Sequence, residues 1–188
     1  MKRAWLALPC ILAAAFAAQA AEYTRLLPEH SRIAFVSRQM GVPVEGEFRR
    51  YSAELRFDPA RPEAARAVIE IDLASVDAGP REVNEELLGR NWFHVRQHPA
   101  ARFESASVRS LGGGRYEVRG PLTLKGRTRE AVAAFSFRPQ GRHGVFEGGF
   151  ALKRLDFGIG EGPWGDTGTV ADEVQVRFRF VAEPAGKP

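Results

Sequence analysis

Cysteine is nearly absent: the 188-residue chain has one, Cys10, alongside two methionines and four histidines. One thiol excludes an internal disulfide framework and a cysteine-based metal site. Long apolar runs are equally scarce. "AWLALPCILAAAFA" follows the basic "MKR" and leads into "AQA", the small-x-small pattern read by signal peptidase. The expectation is a signal peptide over residues 1–20, cut between Ala20 and Ala21, with one domain over residues 21–188. The run is short for a membrane span, and no second one follows. Ala7-Leu8-Pro9 is a poor lipobox, which argues against a lipid anchor on Cys10. Losing Lys2 and Arg3 with the leader lowers the formal charge from +4 to +2. So small a charge, with the signs interspersed, makes no electrostatic case for nucleic acid as a partner.

Catalytic signatures are missing too. There is no G-x-S-x-G elbow and no His-Glu-x-x-His. "DTG" at 166–168 occurs once, preceded by Pro163-Trp164-Gly165, whereas the aspartic-protease dyad needs two such carboxylates. "GIGEGPWG" lacks the spacing of a phosphate-binding loop. His94 and His98 stand four apart, but Pro99 follows and no third ligand is evident, so no metal site is assigned. No catalytic residue and no cofactor are assigned either.

What the chain has is phenylalanine, 13 of them, and 19 glycines. Apolar residues recur with a period of two. Val174, Val176, Phe178 and Phe180 alternate with Gln175, Arg177 and Arg179. Ile33 with Phe35, Leu55 with Phe57, Ile69 with Ile71, Leu122 with Leu124, and Phe135 with Phe137 repeat the pattern. This is the signature of antiparallel strands with one covered face. "LGGGR" at 111–115, "KGR" at 125–127 and "PQGRHG" at 139–144 predict hairpin turns. One segment departs from the period: Val83, Leu87 and Leu88 predict a short helix from about Arg81 to Gly89, with Pro80 suited to its first turn. An all-β fold of about eight strands with one short helix must close into a barrel or fold into a sandwich to hide its apolar faces. Periodicity leaves that choice open, and leaves open whether the rings pack on one another or face a ligand.

Six phrases, in order, resemble the YceI-like family: "HSRIAF" (30–35), "GEFRRYSAELRFDP" (46–59), "IEIDLASVDAG" (69–79), "NWFHVRQHPAARFES" (91–105), "VRGPLTLKGRT" (118–128) and "RLDFGIG" (154–160). The resemblance spans nearly all of residues 21–188. It implies an extended, antiparallel, lipocalin-like β-barrel in the periplasm, enclosing a polyprenyl lipid or ubiquinone-like molecule, and no established reaction. The ligand lining it implies is Phe35, Phe48, Ile71, Phe103, Leu122, Phe135, Phe150, Phe157 and Phe178, with Trp92, Phe93 and Trp164 at the mouth. His94, His98 and Gln39-Met40-Gly41 depart from residues common in the family and bear on head-group preference. Arg81, Arg90 and Arg96 are candidates for an anionic head group, with solvated surface as the plainer reading. The segment 157–174 resembles the branch associated with membrane cytochrome b, which makes that protein a partner to consider, as is a second copy in a homodimer. The rivals are an enzyme acting on an apolar substrate, which needs an inward titratable pair, and a ligand-free β-sandwich that mediates protein contacts.

Overall fold

Alternating β-branched and aromatic residues form strands wherever the turn residues allow, and among the described residues they form twelve. The computed structural model describes residues 21–186. The expected leader over residues 1–20 lies outside them. The strands are β1 (Tyr23–Leu26), β2 (Arg32–Gln39), β3 (Val42–Phe48), β4 (Tyr51–Arg56), β5 (Arg66–Asp72), β6 (Val76–Asp77), β7 (Ala100–Glu104), β8 (Ser107–Gly112), β9 (Arg115–Leu124), β10 (Arg127–Gln140), β11 (His143–Lys153) and β12 (Glu173–Pro184). The helix α1 covers Arg81–Leu88, and Gly89 follows as its C-cap. Pro80 is the N-cap, just outside the first turn where the sequence places it.

Twelve strands trace eight chain paths, because four paths are broken. A 3₁₀ turn at Pro28–His30 separates β1 from β2. Arg49 and Arg50 separate β3 from β4 and turn their backbones to Ser75 and Asp72. The 3₁₀ turn Leu73–Ser75, with Asp72 accepting from the Ala74 amide, separates β5 from β6. Ser105 and Ala106 separate β7 from β8, both of which pair with β9. The other four paths are unbroken.

All pairings are antiparallel. One sheet runs from β4 through β5, β7, β9, β10, β11, β12, β2 and β3 to β6, with β1 against β12 and β8 against β9. β1 returns to the start of this order, because Tyr23 and Phe57 exchange backbone hydrogen bonds of 2.8 and 3.0 Å. The sheet therefore curls into a barrel, and the two-sheet sandwich is not what the chain forms. The hairpins fall where predicted. At β9–β10 both Lys125 (φ 49°) and Gly126 (φ 72°) are left-handed, as a tight two-residue turn requires.

Apolar packing concentrates at the two ends. At one end Tyr23, Phe57, Tyr116, Phe137, Phe146 and Phe180 pack together. At the other, α1 and the turns after it bring Leu87 and Phe93 onto Leu73, Leu122, Leu124, Phe157 and Ile159. Leu27 crosses outside the wall over Val145 and Val181.

Candidate functional site

Between the two ends the barrel is not filled. On β12, Gln175 and Arg177 are exposed, while Val176, Phe178 and Phe180 face inward. The register sets Phe178 between Ile33 and Gly148, and Val176 between Phe35 and Phe150. Around them lie two cavity lobes. The wider, of about 140 Å³, is bounded by β4, β5, β9, β10 and β12 and exposes no polar atom. The second, of about 120 Å³, lies beneath the cap formed by α1 and the loops. Ile33, Ile71, Leu122, Phe150 and Val176 border both, so the lobes lie side by side and share these walls. Each holds several times the roughly 10–15 Å³ that one water needs, and carbon walls give such water nothing to bind.

The lining predicted from sequence divides between the lobes. Phe103, Phe135 and Phe178 border the wider one, and Phe35, Phe48, Trp92 and Phe93 border the cap lobe. Ile71, Leu122 and Phe150 border both. Phe157 and Trp164 border neither. Phe157, 3% exposed, packs in the cap cluster. Trp164 sits behind Trp92, ring centres 5.7 Å apart, and donates from Nε1 to Glu86 on α1 at 2.9 Å. Both support the cap from behind. Small residues make the room: Ala53 on β4 and Ala131 and Ala133 on β10 line the wider lobe. Their spacing was visible in the sequence, but a search for large side chains passes over them. Gly46 serves the same end, since any side chain there would strike the Phe35 ring that lines the cap lobe.

The cap is held by a residue that sequence reading missed. Arg154 is 1% exposed. Its Nε donates to Ala171 O at 3.1 Å, Nη1 to Ile159 O and Gly160 O at 2.9 and 2.7 Å, and Nη2 to Trp164 O and Val170 O at 2.8 and 2.7 Å. A guanidinium has five N–H groups, and here all are spent on carbonyls of the loop between β11 and β12. Burial pushes its pKa down, with Asp172 opposing. The loop is tied to its surroundings by the Gly160 and Glu161 amides on Asn91 O (2.7 and 3.0 Å), by Arg127 on Glu161 (3.0 Å) and by the Met40 amide on Thr169 O (2.8 Å). Lys125 donates to Gly158 O, and burial lowers its pKa against the pull of Glu161. Gly160, at φ 72°, leaves the space in which Arg154 and the edge of Trp92 come together.

The remaining motifs resolve into local structure. Asp166 of "DTG" accepts from Thr169 Oγ1 (2.7 Å) and the Gly168 amide (3.0 Å), and these bonds hold its carboxyl below the usual range, the opposite of a proton-sharing dyad. The His94 and His98 rings lie 5.9 Å apart, and among the described residues no group of three or more His, Cys, Asp or Glu is placed to hold a metal. Arg81 pairs with Glu85 at 2.7 Å, and Arg90 and Arg96 are exposed. Glu54 and Arg66 border the wider lobe, but both are exposed on its wall. Among the described residues two buried side-chain polar atoms have no protein partner: Tyr51 Oη and Trp92 Nε1. Burial, then the charge of Glu47, pushes the Tyr51 hydroxyl up, against a smaller opposing effect of Ser31.

This geometry has relatives. A UPF0312 protein of Azotobacter vinelandii is 33% identical over 179 residues, covering 91% of each chain. The crystal structure of Burkholderia cenocepacia BcnA superposes with a TM-score of 0.82 at 38% identity, covering 84% of this chain and 99% of that one. A polyisoprenoid binding domain from Saccharophagus degradans, implicated in plant cell wall breakdown, shares the fold with a TM-score of 0.67 at 16% identity, covering 89% of this chain and all of that one. The model of the YceI-like domain matches residues 25–182, and the chain belongs to that family.

Proposed function

We propose that the barrel is a periplasmic carrier that holds a long apolar chain, a polyprenyl lipid or the isoprenoid tail of a quinone, out of water. The observation that carries this is the pair of adjacent apolar lobes that share Ile71, Leu122 and Phe150 as walls. Burying a chain there yields roughly 0.8 kcal/mol per CH₂, less the cost of ordering a flexible tail. The structural likeness to a polyisoprenoid binding domain supports the same class of ligand. The lining supports a binder over an enzyme, since it presents no inward pair of titratable groups for acid–base work. A membrane cytochrome b, which exchanges quinone, is the partner this reading carries forward.

Native mass spectrometry and solvent extraction of protein from its own cell envelope test the proposal. The expected result is an adduct that extraction removes and that added polyprenol or quinone restores, with a rise in Tm. A protein of bare mass, with no extractable lipid and no stabilisation by either additive, would overturn it.

A further inference from the structure

The barrel wall is not laddered all the way round. β10 and β11 pair in register from Gln140↔His143 to Ala134↔Gly149, and there the ladder stops. Both strands run on past that point. β10 continues to Arg127 against β9, and β11 continues to Lys153 against β12. On β10 the Phe137 amide turns to the β9 side, where it donates to Gly114 O. Backbone direction alternates along a strand, so the N–H and C=O groups of Val132, Glu130 and Thr128 point towards β11. None of the three has a ladder partner there. The wall therefore contains a seam.

The seam lies against the wider lobe. Ala131 and Ala133 flank it on β10 and Phe150 flanks it on β11, and all three border that lobe. Its outer lip is apolar: Val132 is 37% exposed, and Ala134 and Ala151 are exposed too. The β10 side has no large side chain to move, and widening the seam breaks no ladder hydrogen bond. Separating paired strands would give up one such bond at every second residue.

Other ways in demand more. Passage under the cap detaches a loop that Arg154 holds by five carbonyls. The aromatic end is filled by packed rings. The wall between β1 and β4 is also thinly paired. Yet the Tyr23–Phe57 exchange closes it at one end and Ile33↔Phe48 at the other, and leucines, Leu26 and Leu55, border the lobe there in place of alanines.

Resting on the carrier reading above, we propose that the apolar chain enters and leaves the wider lobe sideways, through the seam between β10 and β11, while both end seals stay shut.

The test bridges the seam in residues 21–188 stripped of bound lipid. This segment has no cysteine, because the chain's one is Cys10. Extending the register past Ala134↔Gly149 sets Val132 opposite Ala151. The pair Val132→Cys and Ala151→Cys is bridged with the shortest of a graded series of bis-methanethiosulfonates that closes it. The probe is retinol, an isoprenoid alcohol that fluoresces more strongly in apolar surroundings. Bridging should slow retinol uptake and release alike, by about tenfold or more, and leave Kd within about twofold, since a route alters both rates together. Reduction should restore both rates in the same sample, which separates the bridge from the substitutions. A second bridge, Arg38→Cys to Ala171→Cys, pins the cap loop where the Ala171 amide donates to Arg38 O, and it should leave uptake unchanged.

The wild-type protein gives an independent reading. Amide exchange should be fast at Thr128, Glu130 and Val132 and slow at Ala131 and Ala133, which pair with β9. Protection at all five amides, unaltered rates across the bridged seam, or equal slowing by the cap bridge would each overturn the route and leave the carrier reading standing. Failure of the unbridged protein to take up retinol would overturn the carrier reading, and the route with it.

Discussion

At one end of the barrel Phe57, 2% exposed, has the rings of Phe137, Phe146 and Tyr116 around it at 4.9, 5.1 and 5.2 Å. At the other end Arg154, 1% exposed, has five carbonyls around it. Both seals exclude water, by opposite means. The aromatic end gains from apolar burial and edge-to-face packing between rings that sit on β-strands. The capped end gathers a long loop onto a single cation, and that loop has little regular backbone pairing of its own. An aromatic seal fails only when strands separate. A loop held by one side chain can open as a unit while the sheet stays intact.

The largest expected effects come from removing the centre of each seal. Arg154→Met leaves five loop carbonyls without their donor and should cost about 3–5 kcal/mol. Phe57→Ala should cost about as much, about 3–5 kcal/mol, through the cavity it leaves. The totals are similar, but the location should differ. In Arg154→Met, hydrogen exchange should accelerate first at the Gly160 and Glu161 amides, which donate to Asn91 O, while β9–β11 stay protected. In Phe57→Ala, protection should fall across the sheet in step with the urea midpoint. Uniform loss of protection in both variants would show that the cap is no separate unit.

How much of this was legible follows from the same contrast. The wall was legible because period-two alternation is a local property: each of Val176, Phe178 and Phe180 declares its face by its neighbours. The helix was legible to within a residue for the same reason. The breaks at 49–50, 73–75 and 105–106 were not, because sheet curvature and contacts distant in sequence set them. Arg154 follows Lys153 and precedes Leu155-Asp156, and nothing in that run separates a buried cation from a surface one. Only the loop that folds back over it does so. The family resemblance places Phe157 in the lining and Trp164, in a non-strand segment, at the mouth. The 3₁₀ turn Arg154–Phe157 and the bond from Trp164 to Glu86 set them behind the cap instead.

A smaller effect checks the wall on which both ends depend. Phe178→Arg places a charge in the carbon-lined lobe and should cost about 2–4 kcal/mol. Its neighbour Arg177 is exposed, and Arg177→Glu should stay within about 0.5 kcal/mol of wild type. Thermal melts of the pair read the difference directly. Equal losses would mean that β12 is out of register by one residue, which would exchange its inner and outer faces.

The smallest effect concerns the outside of the wall and appears only in acid. Glu117 on β9 accepts from Arg109 at 2.9 and 3.1 Å and from Arg119 at 2.8 Å. The Arg109 bonds first, then those of Arg119, lower its pKa from 4.5 to about 2. A carboxylate with a depressed folded-state pKa binds its proton more readily in the unfolded chain. Its contribution is therefore complete above about pH 4.5 and drains away as pH falls towards 2. Glu117→Gln removes this titration, so its Tm should fall less steeply than wild type across that window, while the two differ little in slope near neutrality. The slope that remains in the variant belongs to other depressed carboxyls. Asp166 is one, held down by Thr169 and the Gly168 amide within the cap loop, and its protonation should loosen the cap. Hydrogen exchange near pH 3, read separately for 157–172 and for β9–β11, distinguishes the two. If Glu117→Gln keeps the full wild-type acid slope, the Arg109–Glu117–Arg119 cluster contributes nothing to the wall, and the aromatic interior alone accounts for its stability.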